Sequence, residues 1–195
     1  MSGSKPIPFD LISRSRGPLL LGVVLVMLNI AGNATSGLLR YDRSAILDGE
    51  LWRLLSGHFI HMGWSHLGMN LAGLALIWML AGKWLSLKEA LFTIIFSALA
   101  IGLGLLAINS EVSWYVGFSG ILHGIWTAGS ISGMRSSHWE AYALFILLVA
   151  KLGWEQLFGP LPGSVEMAGI SIVVDAHLYG ASTGLLLAAL LKRGD

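Results

Sequence analysis

Residues 115–126 read "YVGFSGILHGIW". A serine lies between glycines there, and a histidine follows four residues later, within an otherwise apolar neighbourhood. Whether that neighbourhood is a soluble core or lipid decides the fold. Hydrophobic residues make up 55% of the 195-residue chain and charged residues 12%, about half the charged share of a soluble domain. The mean hydropathy is +0.73. A soluble globule of one domain has too little interior to hide so much apolar surface, so the chain reads as an all-α integral membrane protein in contact with a lipid bilayer. Polar groups in lipid are costly and tend to be functional. The net charge is +1 with no long basic run, which leaves nucleic-acid binding without an electrostatic footprint. There is no cysteine, which excludes disulfides, thiolate chemistry and cysteine metal sites.

Working outward, six apolar helical segments are expected, at 18–36, 65–82, 89–109, 119–134, 139–158 and 176–191. A full span takes about 20 residues. The fourth and sixth segments are shorter, roughly 16 residues or about 24 Å. A short helix can start below the membrane surface if its first turn lines a protein cavity. Ser119 and His177 stand at the starts of these two segments. The first segment follows Lys5, Arg14 and Arg16 and runs into the small, polar "NATSG" (33–37), as a signal peptide would. With five further segments behind it, it reads better as an anchor. Lys and Arg mark the cytoplasmic side. Lys5, Arg14, Arg16, Lys83, Lys88, Arg135, Lys192 and Arg193 all fall on one side of a six-span arrangement, while 109–118 and 159–175 carry none. Arg40, Arg43 and Arg53 in the long first loop, 37–64, break the pattern. On balance both termini are expected in the cytoplasm and Ser119 and His177 towards the other side. The chain then divides into a cytoplasmic N-terminal segment 1–17, a membrane domain 18–191 and a cytoplasmic tail 192–195.

A serine in a small-residue turn exposes its Oγ, and the helix N-terminus behind it favours a developing oxyanion. The plainer reading of Ser119 is an N-cap. A nucleophilic serine needs a base. The histidines are His58, His61, His66, His123, His138 and His177. Gly120 and Gly124 on the fourth segment, and Gly180 and Gly184 on the sixth, form two GxxxG faces that allow close helix approach. That approach would bring His177 to Ser119. His123, one turn from Ser119, is the rival base, and His177 is preferred on geometry. Asp175, two residues before His177, lies on the other side of its helix and reads as an N-cap rather than a third catalytic member. In "HMGWSHLGMN" (61–70), His66 and Asn70 are i, i+4 on one face and can donate hydrogen bonds to a tetrahedral intermediate. Two alternatives compete there: a polar seam between helices, and a metal site from His58, His61 and His66. The nearby carboxylates, Asp48 and Glu50, lie well upstream, and no HExxH occurs. No metal and no cofactor are expected.

Together these residues resemble the rhomboid family of intramembrane serine proteases, over roughly 50–190. The resemblance implies a six-transmembrane-helix bundle with a long first loop. It makes Ser119 in "GFSG" the nucleophile and His177 in "AHLYGASTG" the base. Gly117, Gly120, Gly180 and Gly184 support them. Trp52-Arg53 matches the family's first-loop Trp-Arg pair. His61, His66 and Asn70 match its H-x4-H-x3-N element, with His66, Asn70 and the Ser119 backbone N–H holding the oxyanion. Many rhomboids have a tyrosine where His123 stands. "GxSGxLHG" on a compact chain is most similar to the rhombosortase subgroup, which is associated with bacterial proteins carrying a C-terminal Gly-Gly motif, a transmembrane helix and a basic tail.

The expected activity is therefore intramembrane proteolysis, by hydrolysis or acyl transfer, of a membrane-anchored protein near such a tail. The setting would be the bacterial inner membrane, with the site facing its extracytoplasmic side. Glycine weakens a helix by about 1 kcal/mol relative to alanine, which suits a scissile segment. Trp114, Phe118 and Trp126 are expected to line a narrow cleft. The alternatives are a general rhomboid protease for other single-span substrates, an inactive client-binding relative, and a transporter using the histidines as a proton path.

Overall fold

The computed structural model describes residues 9–190. The tail 192–195 and the first eight residues of the segment 1–17 lie outside the described residues. The elements run α1 (Phe9–Ile30), α2 (Gly32–Leu39), β1 (Tyr41–Asp42), α3 (Arg43–Leu47), α4 (Arg53–Ser56), a 3-10 turn (Gly57–Phe59), and α5 (Gly63–Leu80). A second 3-10 turn (Gly82–Trp84), α6 (Leu87–Ala107), β2 (Trp114–Tyr115), α7 (Ser119–Arg135), α8 (Trp139–Phe158), α9 (Ser164–Ala168) and α10 (Val174–Leu190) follow. This is an all-α bundle. The last five apolar segments coincide with α5, α6, α7, α8 and α10 to within two residues at each end. The first does not. Its helix ends at Ile30 and a separate α2 begins, because Gly32 adopts φ 71°, a left-handed conformation that ends the helical run. By length and hydropathy alone, two of the described helices, α6 and α8, are long and apolar enough to cross a membrane.

α7 is the central helix. Twelve of its 17 residues are buried, most of them Gly, Ala, Ser or Thr, and it touches α5, α6, α8 and α10. Small residues are what lets membrane helices meet backbone to backbone. A Cβ added at Gly120 would lie 2.7 Å from the Ala176 carbonyl oxygen on α10. One added at Gly180 would run into the Gly120 carbonyl, and one at Gly184 into the Gly124 carbonyl, closer than real Cβ contacts come. The two GxxxG faces thus mesh residue against residue. At the far end of α7, Ser132 donates to the Trp84 carbonyl (2.8 Å), and Gly133 leaves room for the Trp84 ring.

The first loop is folded rather than slack. Tyr41 pairs with Tyr115 and Asp42 with Trp114 in a two-strand antiparallel ladder. Gly117 N–H donates to the Gly57 carbonyl (3.3 Å). Arg53, 6% exposed, donates to the Gly37 and Arg40 carbonyls (3.0 and 2.9 Å) and to Glu50 (2.6 Å). Trp52 Nε1 donates to the Leu38 carbonyl (3.1 Å). The loop is thereby pinned against the turn that leads into α7.

Gly180→Ala is expected to lower the stability of the detergent-solubilised protein by about 1–3 kcal/mol, the usual penalty of overpacking. Gly153→Ala, on α8 with nothing within 4 Å of the added carbon, is the control and should not destabilise. Thermal unfolding of both variants, read side by side, checks the mesh.

Candidate active site

The strand–turn–helix at 114–119 presents the serine. β2 ends at Tyr115, Gly117 takes φ 122°, and Ser119 is the first residue of α7. Gly117 has no alternative: its φ is a glycine conformation, and a Cβ there would lie 2.8 Å from the His66 ring. The N-cap position belongs to Phe118, and no side chain caps this helix end. Ser119 is therefore not the cap that its sequence setting suggested. Its Oγ lies 3.0 Å from His177 Nε2.

His177 sits in the first turn of α10, carried there by the Gly120–Ala176 contact one residue away on each helix. Its Nδ1 faces the Glu155 carboxylate, 2.9 Å from Oε2 and 3.1 Å from Oε1. Glu155 in turn pairs with Lys151 at 2.6 Å, one turn back on α8. A carboxylate accepts only, so Nδ1 carries the proton and Nε2 is left as the acceptor for the serine hydroxyl. Glu155 and Lys151 escaped the sequence reading. The signal that would have found them is a pair of charges, i and i+4, inside an otherwise apolar helix.

His123 is placed differently from a base. Its Nδ1 donates to the Ser119 carbonyl oxygen (2.8 Å), not to Oγ. Its ring stacks on His177 at 4.1 Å between centroids and 17° between planes. Asp175 is not a cap either. It lies inside the first turn of α10 and accepts from Asn109 Nδ2 (2.6 Å), while Asn109 Oδ1 accepts from Tyr179 (2.7 Å). This network ties α10 to the end of α6, away from His177.

His66 Nδ1 faces the backbone N–H of Met62 at 3.5 Å, and its ring abuts Gly117. Asn70 lies one turn along α5 on the same buried face, its Nδ2 donating to the His66 carbonyl (3.1 Å). Its Oδ1 is buried without a partner. His66 thus stands beside the turn that presents Ser119, with Asn70 one turn behind it. A further residue that sequence reasoning missed is Tyr115. Its hydroxyl donates to the Gly117 carbonyl (3.1 Å). Burial pushes the phenol above its ordinary range, against the opposing pull of the Ser119 hydroxyl and the Gly120 N–H. The expected aromatic cleft is not formed. Phe118 is fully buried against Phe59, Trp126 Nε1 donates to the Leu144 carbonyl on α8 (3.0 Å), and Trp114 lies in the β ladder.

A family model for the rhomboid domain matches residues 48–194. The chain belongs to the rhomboid family. A relative, "Rhomboid-like protease 5" from Toxoplasma gondii, is 30% identical over 143 residues, covering 71% of this chain and 16% of the relative. The chain therefore spans only a small part of that protein's length. Membership, together with the apolar helices, makes this an integral membrane protein.

In this rhomboid domain the Trp52-Arg53 pair and His61 lie away from the serine's direct partners. Arg53 binds the first loop's own carbonyls, as described above. His61 packs edge-on against His66 at 5.0 Å, with both ring nitrogens unpartnered. His58 Nε2 bonds the Leu54 carbonyl (3.1 Å), so His58, His61 and His66 do not converge as metal ligands. Ligand atoms of His123, Glu155 and His177 lie within 4.8 Å of one another. The two rings are stacked, however, so their in-plane lone pairs lie in separate planes, and each Nδ1 already has a partner, the Ser119 carbonyl for His123 and Glu155 for His177.

Burial pushes His58 down to about 4 and His61 down to about 3, against an ordinary value of about 6.5. An unfolded chain would take these protons first as pH falls. The stability they contribute is thus whole above about pH 6.5 and is lost below it, at about 1.4 kcal/mol per pH unit for each group. Thermal unfolding between pH 7.5 and 5 should show at least this slope, and His61→Gln should make it shallower. A melting temperature indifferent to pH would contradict the buried, neutral assignment.

Proposed function

We propose that this protein is an intramembrane serine endopeptidase working through Ser119 and His177. The observation that carries the reading is the 3.0 Å contact between Ser119 Oγ and His177 Nε2, formed across two helices and 58 residues of sequence. Ser119 Oγ bonds to the scissile carbonyl carbon as its proton passes to His177 Nε2. The imidazolium then gives that proton to the leaving amine as the C–N bond breaks. Water, or another amine in a transfer reaction, attacks the acyl-enzyme with the roles reversed. The Ser119 backbone N–H, His66 and Asn70 hold the oxyanion, supported by the position of the His66 ring against Gly117.

The proposal includes a six-span arrangement made by α1, α5, α6, α7, α8 and α10. Ser119 and Arg135 are opposite ends of α7, and Lys83 in the α5–α6 connection and Lys88 in the first turn of α6 lie beside the α7 C-terminus through Ser132 and Trp84. Lys83, Lys88 and Arg135 thus gather at the end remote from the serine, while Arg40, Arg43 and Arg53 of the first loop lie at the serine end, and the loops 109–118 and 159–175 carry no Lys or Arg. Under the positive-inside rule both termini are cytoplasmic and the site opens extracytoplasmically. α7, at 17 residues, is about 25 Å long, shorter than the roughly 30 Å hydrocarbon core, so its first turn can sit beneath the surface inside the protein.

The substrate is a membrane-anchored protein, and the "GFSGILHG" run (117–124) favours one bearing a Gly-Gly motif before its C-terminal transmembrane segment, processed in a bacterial inner membrane as by a rhombosortase. Glycines weaken the helix that shields the peptide bonds. A general rhomboid protease for other single-span proteins is the second reading, supported by the family match alone. The inactive client-binding reading is disfavoured because the serine and histidine are both present and in contact.

Cleavage in reconstituted bilayers tests this. Wild type should cut a Gly-Gly-tailed membrane substrate, and Ser119→Ala and His177→Ala should not. His123→Ala should keep partial activity, since its ring nitrogen bonds backbone rather than Oγ. Activity surviving in Ser119→Ala would remove the proposal, and equal cutting of a tail lacking the glycines would remove the substrate assignment. His66→Ala or Asn70→Ala should cost about 10²–10³ in kcat, as loss of one oxyanion donor does elsewhere.

A further inference from the structure

We infer that Glu155 is a positioning residue that completes a Ser119–His177–Glu155 relay, with Lys151 balancing its charge. The inference rests on the protease reading above and names a part of the machinery that the dyad alone omits. α8 meets the bundle along a single seam, with its buried residues Ala141, Leu148 and Glu155 spaced seven apart. The first two are ordinary apolar contacts. The third is a carboxylate, 3% exposed. A charge inside a membrane domain is retained only with partners, and this one has two. Lys151 Nζ holds Oε1 at 2.6 Å, and both oxygens face His177 Nδ1 at 2.9 and 3.1 Å.

An i, i+4 pair serving only to stabilise α8 would not need the carboxylate aimed at the histidine. Placed as it is, the carboxylate does three things for the reaction. It holds the imidazole in the tautomer with Nδ1 protonated. It fixes the ring plane so that Nε2 points at Ser119 Oγ. It also faces the positive charge that appears on His177 when the serine proton arrives. Lys151 keeps the resting cluster electrically neutral, so burial of the carboxylate does not leave an uncompensated charge.

The charged and titratable groups facing His177 are few. α7 contributes His123, stacked on its ring, and α8 contributes Glu155 and Lys151. On α10 itself Asp175 is turned to Asn109, and α6 carries its Lys88 and Glu89 at its opposite end. Removing the carboxylate makes the imidazolium harder to form, and removing the ammonium makes it easier. The two substitutions therefore push the acidic limb of the pH–rate profile in opposite directions, which a purely structural ion pair would not do.

The experiment compares wild type, Glu155→Gln, Lys151→Met, Ser119→Ala and His177→Ala in the bilayer cleavage assay, with kcat and KM resolved across pH. Labelling of Ser119 by a fluorophosphonate probe gives a readout independent of the substrate. Glu155→Gln is expected to lose 10²–10⁴-fold in kcat with KM nearly unchanged, and to label slowly. Its acidic limb should move to lower pH, while that of Lys151→Met moves to higher pH. If Ser119→Ala and His177→Ala are inactive but Glu155→Gln keeps wild-type kcat or an unmoved acidic limb, the relay is overturned and the dyad stands alone. If Ser119→Ala still cuts, the protease reading itself fails. Should Glu155→Gln not fold, histidine-labelled wild type is read directly by NMR. A strongly deshielded Nδ1 proton that vanishes in His177→Ala supports the relay, and its absence overturns it.

Discussion

The backbone-to-backbone contact of α7 with α10 is the constraint on which the rest depends. Gly120 and Gly124 meet Gly180 and Gly184 where no Cβ can fit, and the first turns of both helices are locked at one level. Ser119 and His177 stand in those turns. A hydroxyl and an imidazole from segments 58 residues apart reach hydrogen-bond distance because the glycines leave them no slack. In lipid there is little hydrophobic drive between helices, so close van der Waals packing has to supply the association. The same packing sets the Ser119–His177 geometry.

The other elements hold this pair from outside. The β1–β2 ladder and the Gly117–Gly57 hydrogen bond fasten the turn that carries Ser119 to the first loop. Arg53 satisfies that loop's own carbonyls, so its burial contributes to scaffold rather than to chemistry. On the other flank, the Asn109–Asp175–Tyr179 network ties α10 to the end of α6. Ser65 and the Met167 carbonyl link α5 to α9. The site is therefore built on helix ends that are individually fastened, while the helix middles pack through small residues.

What was legible in the sequence followed from spacing. Ser119 between glycines, the GxxxG repeats and the i, i+4 step from His66 to Asn70 are local patterns with one geometric meaning. Helix limits were legible for α5, α6, α7, α8 and α10 because hydropathy changes sharply there, whereas the short α9 falls in what reads as the loop 159–175. They were not for α1, where the expected segment ran on to 36 and the helix ends at Ile30, with Gly32 in a left-handed conformation. The aromatic cleft failed for a related reason. Phe118 and Trp126 are apolar whether they line a groove or fill a core, and their sequence positions do not say which. Asp175 looked like a cap from its place before His177, yet its partner Asn109 is 66 residues away.

Glu155 is the instructive omission. It lies in "VAKLGWEQLF" (149–158), a run with no motif, and its partner His177 is 22 residues away on another helix. No periodicity links the two. The physical clue was energetic rather than geometric: Lys151 and Glu155 are the two charges in the later part of an apolar helix, and α8 exposes most of its surface. A helix can turn such charges outward near its end, towards headgroups, or inward to a partner. The cost of burial decides between these, because an inward carboxylate is tolerated only where donors meet it. Here the donors are a lysine on the same helix and the histidine that already faces the serine. A charge that is expensive at its position, and aimed at the ring that faces Ser119, is better explained by that ring than by the helix that carries it.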